Sequence, residues 1–150
     1  MSESRRHYLV AATPRTGSSL LCEGLSATRI AGYPAEVFAP DFRGQWYERW
    51  GLVRDVPFSV YMAASLEFGT TPNGVYGMKI QWMHVPVLAA DIALSGDCGA
   101  ALDSLFPNAT FINTVRRDRR AQALSWFRAW RTNEWFRTVR TPLPAKVSKP

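Results

Sequence analysis

His7-Tyr8-Leu9-Val10-Ala11-Ala12-Thr13-Pro14-Arg15-Thr16-Gly17-Ser18-Ser19-Leu20-Leu21 is the stretch on which the fold turns. Tyr8 to Ala12 is an apolar run that stops at Thr13-Pro14, which predicts a short buried strand. Pro14 to Ser19 is a turn. Leu20, Leu21, Cys22 and Leu25 then predict a helix that starts near Ser18. Strand, glycine-containing loop and helix together open a βα unit.

The same alternation continues outward from this stretch. Gly32 to Pro40 is a loop set by its two prolines, Pro34 and Pro40. Residues 45–50 and 59–68 read as short helices. Thr71-Pro72-Asn73-Gly74 is a turn, and Val75 to Met83 reads as a second strand around Lys79. Pro86 suits the first position of a helix, with Val87, Leu88 and Ile92 behind it. Residues 108–115 read as a third strand. Ala123, Trp126, Phe127 and Trp130 then share one helical face. Beyond Arg137 there is no period and there are three prolines, so residues 138–150 read as an unstructured tail. Strands alternating with helices predict an α/β fold with a parallel sheet, whose ligands bind at the carboxyl ends of the strands. Residues 14–19, Lys79 and residues 116–125 lie at three such ends.

Length and charge narrow the class. With 150 residues, 47% of them hydrophobic, there is room for one packed domain. The net charge of +6 suggests an anionic partner. That charge is uneven: residues 1–115 carry net −2 and residues 116–150 carry net +8. Fifteen of the 18 basic residues are Arg, whose planar fork of donors suits anions. Two Cys and two His in no ligand spacing make a zinc site or disulfide framework an unexpected feature. No run of 18 apolar residues predicts a membrane span, and the start lacks the apolar stretch of a secretion signal. The expected location is cytoplasmic.

Two motifs carry chemistry. In Pro14 to Ser19, Gly17 lets the backbone approach an anion, the helix N-terminus offers N–H groups, and Ser18, Ser19 and Arg15 add donors. The loop alone reads equally as a serine helix cap beside an exposed Arg. It is not a Walker A loop, because the chain has no Gly-Lys pair, and a kinase or GTPase reading fails on that lysine. In the run from Arg116 to Ser125, an Arg at a strand end and a Ser two turns into the next helix can converge on one phosphate. In isolation that run reads as a solvated charge cluster.

Taken in order, Ala12-Thr13-Pro14-Arg15-Thr16-Gly17-Ser18-Ser19-Leu20-Leu21-Cys22, Gly32-Tyr33-Pro34-Ala35-Glu36-Val37-Phe38, Gly77-Met78-Lys79 and Arg117-Asp118-Arg119-Arg120-Ala121-Gln122-Ala123-Leu124-Ser125 resemble the trehalose 2-sulfotransferase family. The resemblance covers about residues 8–137. It implies a P-loop-like sulfotransferase fold with a parallel sheet. It also implies 3′-phosphoadenosine 5′-phosphosulfate as sulfuryl donor, no metal, and a carbohydrate acceptor, trehalose at its 2-position. By resemblance, Arg15 and the N–H groups of Thr16, Gly17, Ser18 and Ser19 hold the 5′-phosphosulfate. Arg117 and Ser125 hold the 3′-phosphate, and Glu36 is the base that deprotonates the sugar hydroxyl. Lys79 stabilises charge on the moving sulfuryl group, its alternative being a surface lysine at a strand end. Many sulfotransferases carry Lys-x-His on this strand. Here the triplet is Lys79-Ile80-Gln81, which shifts the base role onto Glu36.

Family members run well beyond 150 residues, so the resemblance predicts an incomplete domain, truncated at its C-terminal side. Two other functions stay open: a catalytically inactive nucleotide-binding remnant, and a nucleic-acid binder using the basic 116–150 segment. Against the latter, the Arg cluster sits at a strand end and the tail has no interleaved aromatics. A homodimer is allowed. The stripe of Trp126, Phe127 and Trp130 reads as core or dimer surface rather than an adenine platform, and His84 and Cys22 read as structural.

Overall fold

The computed structural model describes residues 6–94 and 96–135. The described elements run β1 (Arg6–Ala12), α1 (Ser18–Ala27), α2 (Pro40–Arg49), α3 (Phe58–Gly69), β2 (Val75–Gln81), a 3₁₀ turn (Trp82–His84), α4 (Val85–Asp91), α5 (Cys98–Leu105), β3 (Thr110–Thr114) and α6 (Arg119–Thr132). The three strands form one parallel sheet in the order β2-β1-β3. This is the expected α/β class. The central position falls to β1 because four of its residues, Leu9 to Ala12, are fully buried and need cover on both faces. The expected tail, 138–150, lies outside the described residues. No helix among the described residues is long and apolar enough to cross a membrane.

The chain divides into two compact units, Met1–Arg116 and Arg117–Pro150. In the first, alternation along the strands sorts side chains onto two faces. Leu9, Tyr76, Met78 and Ile80 join Phe38, Tyr61, Val85, Leu88, Leu102 and Phe106 in the core. Phe106 stacks on Tyr76 with ring centroids 5.8 Å apart and planes 11° from parallel. Burial holds the Tyr76 hydroxyl well above the ordinary tyrosine range, and that hydroxyl shares a 2.7 Å hydrogen bond with Ser65 Oγ. The opposite face of β2 carries Gly77, Lys79 and Gln81.

Gly77 is small because Tyr8 lies across it. A Cβ at this position would stand 2.5 Å from the Tyr8 hydroxyl oxygen and 2.7 Å from Cζ. That hydroxyl donates to the carbonyl of Ala31, and burial pushes its pKa up to about 12. Gly77→Ala should therefore cost about 1–3 kcal/mol, the usual range for overpacking. Adding Tyr8→Leu should recover part of the loss. Chemical denaturation of the single and double variants checks this, and additive losses would remove Tyr8 as the cause.

Several boundaries differ from the sequence expectations. Helix α2 starts at Pro40, not residue 45. Proline is at home in the first turn, and Ala39 before it is extended. Strand β2 stops at Gln81, not Met83, where the chain turns into the 3₁₀ segment. Helix α5 was not expected at all. Its signal is short and interrupted by Gly99, yet Asp97 caps it by accepting the Ala100 N–H at 2.8 Å.

In the second unit, Asp118 caps α6 by accepting the Ala121 N–H at 2.8 Å. Asn133, left-handed at φ 55°, ends the helix, and Arg131 sits in its last turn. The aromatic face formed as expected but is not core: Trp126, Phe127 and Trp130 are 47%, 54% and 71% exposed.

Candidate active site

The first site element is the turn from β1 into α1. Arg15 and Gly17 have φ of 66° and 88°, so the backbone reverses twice in three residues. Gly17 is the N-cap residue of α1, and among the described residues no side chain caps the helix. The serine-cap alternative therefore fails: Ser18 and Ser19 lie inside the first turn. The amides of that turn have no acceptor within the helix, and they point where an anion would sit. Two contacts from the end of β3 brace the turn. Thr16 Oγ1 is 3.0 Å from Thr114 Oγ1, and Arg116 donates to the Arg15 carbonyl at 3.4 Å. Thr114 also donates to the Ala11 carbonyl at 3.3 Å.

The second element is the loop that carries Glu36. Gly32 opens it at φ 73°, and a Cβ there would stand 2.5 Å from the Gly77 nitrogen. The loop lies along the outer edge of β2. Three consecutive carbonyls are then anchored to three different elements. Ala35 accepts the Lys79 N–H at 3.1 Å, Glu36 accepts Trp46 Nε1 at 3.3 Å, and Val37 accepts the Tyr61 hydroxyl at 2.5 Å. Val37 and Phe38 plug into the core. The Glu36 carboxylate is thus held on a rigid support although it belongs to a loop.

Lys79 joins the two elements. Its Nζ stands 2.6 Å from Glu36 Oε1 and donates to Ser19 Oγ at 2.9 Å. The two side chains of the ion pair are 6% and 12% exposed. Lys79 is therefore not a surface lysine at a strand end. Since Ser19 accepts from Lys79, its own O–H remains to donate, alongside the amides of α1, to an anion at that helix end. Gln81, two residues on and hence on the same strand face, donates Nε2 to Glu36 Oε1 at 2.8 Å. Cys22 lies buried on α1, where desolvation outweighs the pull of Lys79 and pushes its thiol up to about 11. That keeps it a neutral packing group, as the sequence suggests.

The structure thus brings Ser19, Glu36 and Lys79 into contact and sets Arg15, Thr16, Gly17 and Ser18 in the adjoining turn. Arg117 and Ser125 belong to the second unit. Arg117 is exposed beside the cap residue Asp118, and Ser125 is half-buried on α6. Sequence reasoning missed Gln81 and Thr114 as site residues, and it placed Arg116 only within the Arg116 to Ser125 run, not against the first turn. For Gln81 a signal existed, since residue i+2 on a strand shares a face with residue i. For the other two, pairing across the sheet to the first turn left no local trace. Among the described residues no group of three His, Cys, Asp or Glu could hold a metal ion.

A carboxylate, a buried ammonium and a bare helix N-terminus in one chain of contacts suit transfer of an anionic group to a hydroxyl. The comparisons with known proteins agree. The family model for Stf0 sulphotransferase matches residues 7–147. The trehalose 2-sulfotransferase of Mycolicibacterium smegmatis is 32% identical over 163 aligned residues, and that of Mycobacterium tuberculosis 35% over 165. Each match covers 90% of this chain and 61% of the relative. The chain therefore spans about three fifths of the length of these relatives.

Proposed function

The chain belongs to the Stf0 sulphotransferase family, and on that premise we propose that it transfers a sulfuryl group from 3′-phosphoadenosine 5′-phosphosulfate to a hydroxyl of trehalose. The single observation that carries this reading is the run of contacts from Ser19 through Lys79 to Glu36, which ties an anion-binding helix end to a carboxylate. The acceptor comes from the names of the two mycobacterial relatives.

The residues at the turn fit such a donor. The N–H groups of Thr16, Gly17, Ser18 and Ser19, the Ser19 hydroxyl and Arg15 would hold the 5′-phosphosulfate, and Arg117 with Ser125 would hold the 3′-phosphate. When bound, the donor supplies an activated sulfuryl group. Glu36 Oε2 takes the proton of the sugar hydroxyl as its oxygen bonds to sulfur and the bond from sulfur to the 5′-phosphate oxygen breaks. Lys79 stabilises charge on the moving sulfuryl group, and the amides of α1 stabilise the negative charge left on that phosphate oxygen. No step needs a metal.

The direct test is transfer of labelled sulfate from the donor to trehalose by this chain. Labelled trehalose sulfate is expected. Nucleotide binding without any transfer would overturn the activity and leave the inactive remnant. A second test addresses the 3′-phosphate. Arg117→Ala should weaken binding of 3′-phosphoadenosine 5′-phosphate by about 1.5–3 kcal/mol, roughly 10- to 150-fold, as expected for charge-assisted hydrogen bonds. Binding of adenosine 5′-phosphate, which lacks the 3′-group, should be unchanged. Titration calorimetry of both nucleotides checks this, and equal losses for the two would remove Arg117 from the 3′-site.

A further inference from the structure

Two buried donors converge on one oxygen of Glu36. Lys79 Nζ at 2.6 Å and Gln81 Nε2 at 2.8 Å both meet Oε1. Among the described residues no hydrogen bond reaches Oε2. The carboxylate is therefore turned so that one oxygen is saturated and the other is left for substrate. The Gln81 side chain is set by the same contact. Only its amide nitrogen can face a carboxylate, so its amide oxygen points elsewhere. Among the described residues that oxygen has no hydrogen-bond partner, and it is buried in a residue only 8% exposed.

A buried carbonyl without a donor is a cost that folded proteins rarely keep unless something else fills the position. The missing partner must be a donor, and the amide that lacks it is held on Glu36 through its nitrogen. A sugar suits that pairing, since its hydroxyls occur on neighbouring carbons. We propose that Gln81 is a positioning and specificity residue for a vicinal diol: the hydroxyl to be sulfated donates to Glu36 Oε2, and the adjacent hydroxyl donates to Gln81 Oε1. This rests on the carbohydrate-acceptor reading above and narrows it. In trehalose sulfated at carbon 2, carbon 1 carries the glycosidic oxygen, so the second hydroxyl is that on carbon 3. An isolated alcohol would leave the Gln81 oxygen unpaired and be a poor acceptor.

The test compares trehalose with 3-deoxytrehalose for the wild type and Gln81→Met. Binding is measured by calorimetry with 3′-phosphoadenosine 5′-phosphate present, and transfer is measured in parallel. Wild type should prefer trehalose by about 10-fold or more. Gln81→Met should bind trehalose about 10-fold more weakly, bind both sugars alike, and keep its nucleotide affinity, which reports that it folds. If that variant does not fold, Gln81→Asn withdraws the amide by one methylene and should show the same lost preference. An unchanged preference in a folded variant overturns the role of Gln81 and leaves the acceptor reading intact. A wild type that binds the nucleotide but neither sugar overturns both.

Discussion

Glu36→Gln should lower the rate of sulfuryl transfer by about 10²- to 10⁴-fold, which is what a positioned general base contributes. At about 1.4 kcal/mol per tenfold, that is roughly 3–5 kcal/mol of barrier. The substitution preserves size and keeps a carbonyl oxygen for Lys79 Nζ and Gln81 Nε2, so the site keeps its shape. It also removes the counter-charge of a buried ammonium, and lost stability could be mistaken for lost chemistry. Glu36→Asp separates the two. It retains the charge but withdraws the carboxylate by one methylene from the anchored carbonyls of Ala35, Glu36 and Val37. Stability should then stay closer to wild type while the rate still falls. Single-turnover kinetics at saturating donor and trehalose, with nucleotide affinity measured alongside, give the answer. A folded Glu36→Gln that transfers at the wild-type rate would end the assignment of Glu36 as base.

Lys79→Met should be the most destabilising single change in the site, by about 3–5 kcal/mol, because it leaves a nearly buried carboxylate without its cation. The Met side chain fills much the same volume, so little of the loss comes from a cavity. The remaining donor from Gln81 offsets only part of the desolvation of Glu36. Combining Lys79→Met with Glu36→Gln removes both charges, and the double variant should be more stable than Lys79→Met alone. Such pairs are often no more stabilising than neutral residues of similar size. Urea denaturation of the two singles and the double closes the cycle. Additive losses would mean that the pair at 2.6 Å contributes no coupling. The double variant should stay inactive however stable it is, since stability and transfer depend on the pair in different ways.

Much of the site was legible in the residues. The Pro14 to Ser19 turn followed from an apolar strand, a glycine and a helix start, all local signals. Lys79 could be assigned to a strand and Glu36 to a proline-bounded loop by the same reasoning. What local pattern could not supply was the meeting of these pieces. Serine cap or anion cradle was undecidable from Ser18 and Ser19 alone, because it depends on which residue takes the N-cap position. Lys79 read as easily as a surface residue, because a period of two on a strand separates its faces without saying what covers either. The aromatic face of α6 had the periodicity of a core stripe and lies exposed, for the same reason.

The sequence by itself determined the order of strands and helices apart from α5, the glycine-containing turn after β1, and the residue types able to bind an anion and take a proton. Tertiary structure alone decided that Lys79 reaches Ser19 sixty positions away, that Gln81 reaches Glu36 across 45, and that Thr114 braces Thr16 across 98. Short-range sterics and periodicity act within a few residues and leave a trace in every segment. Contacts between distant residues form only when the sheet pairs its strands and the Glu36 loop is pinned by β2, Trp46 and Tyr61, and no one segment carries that information.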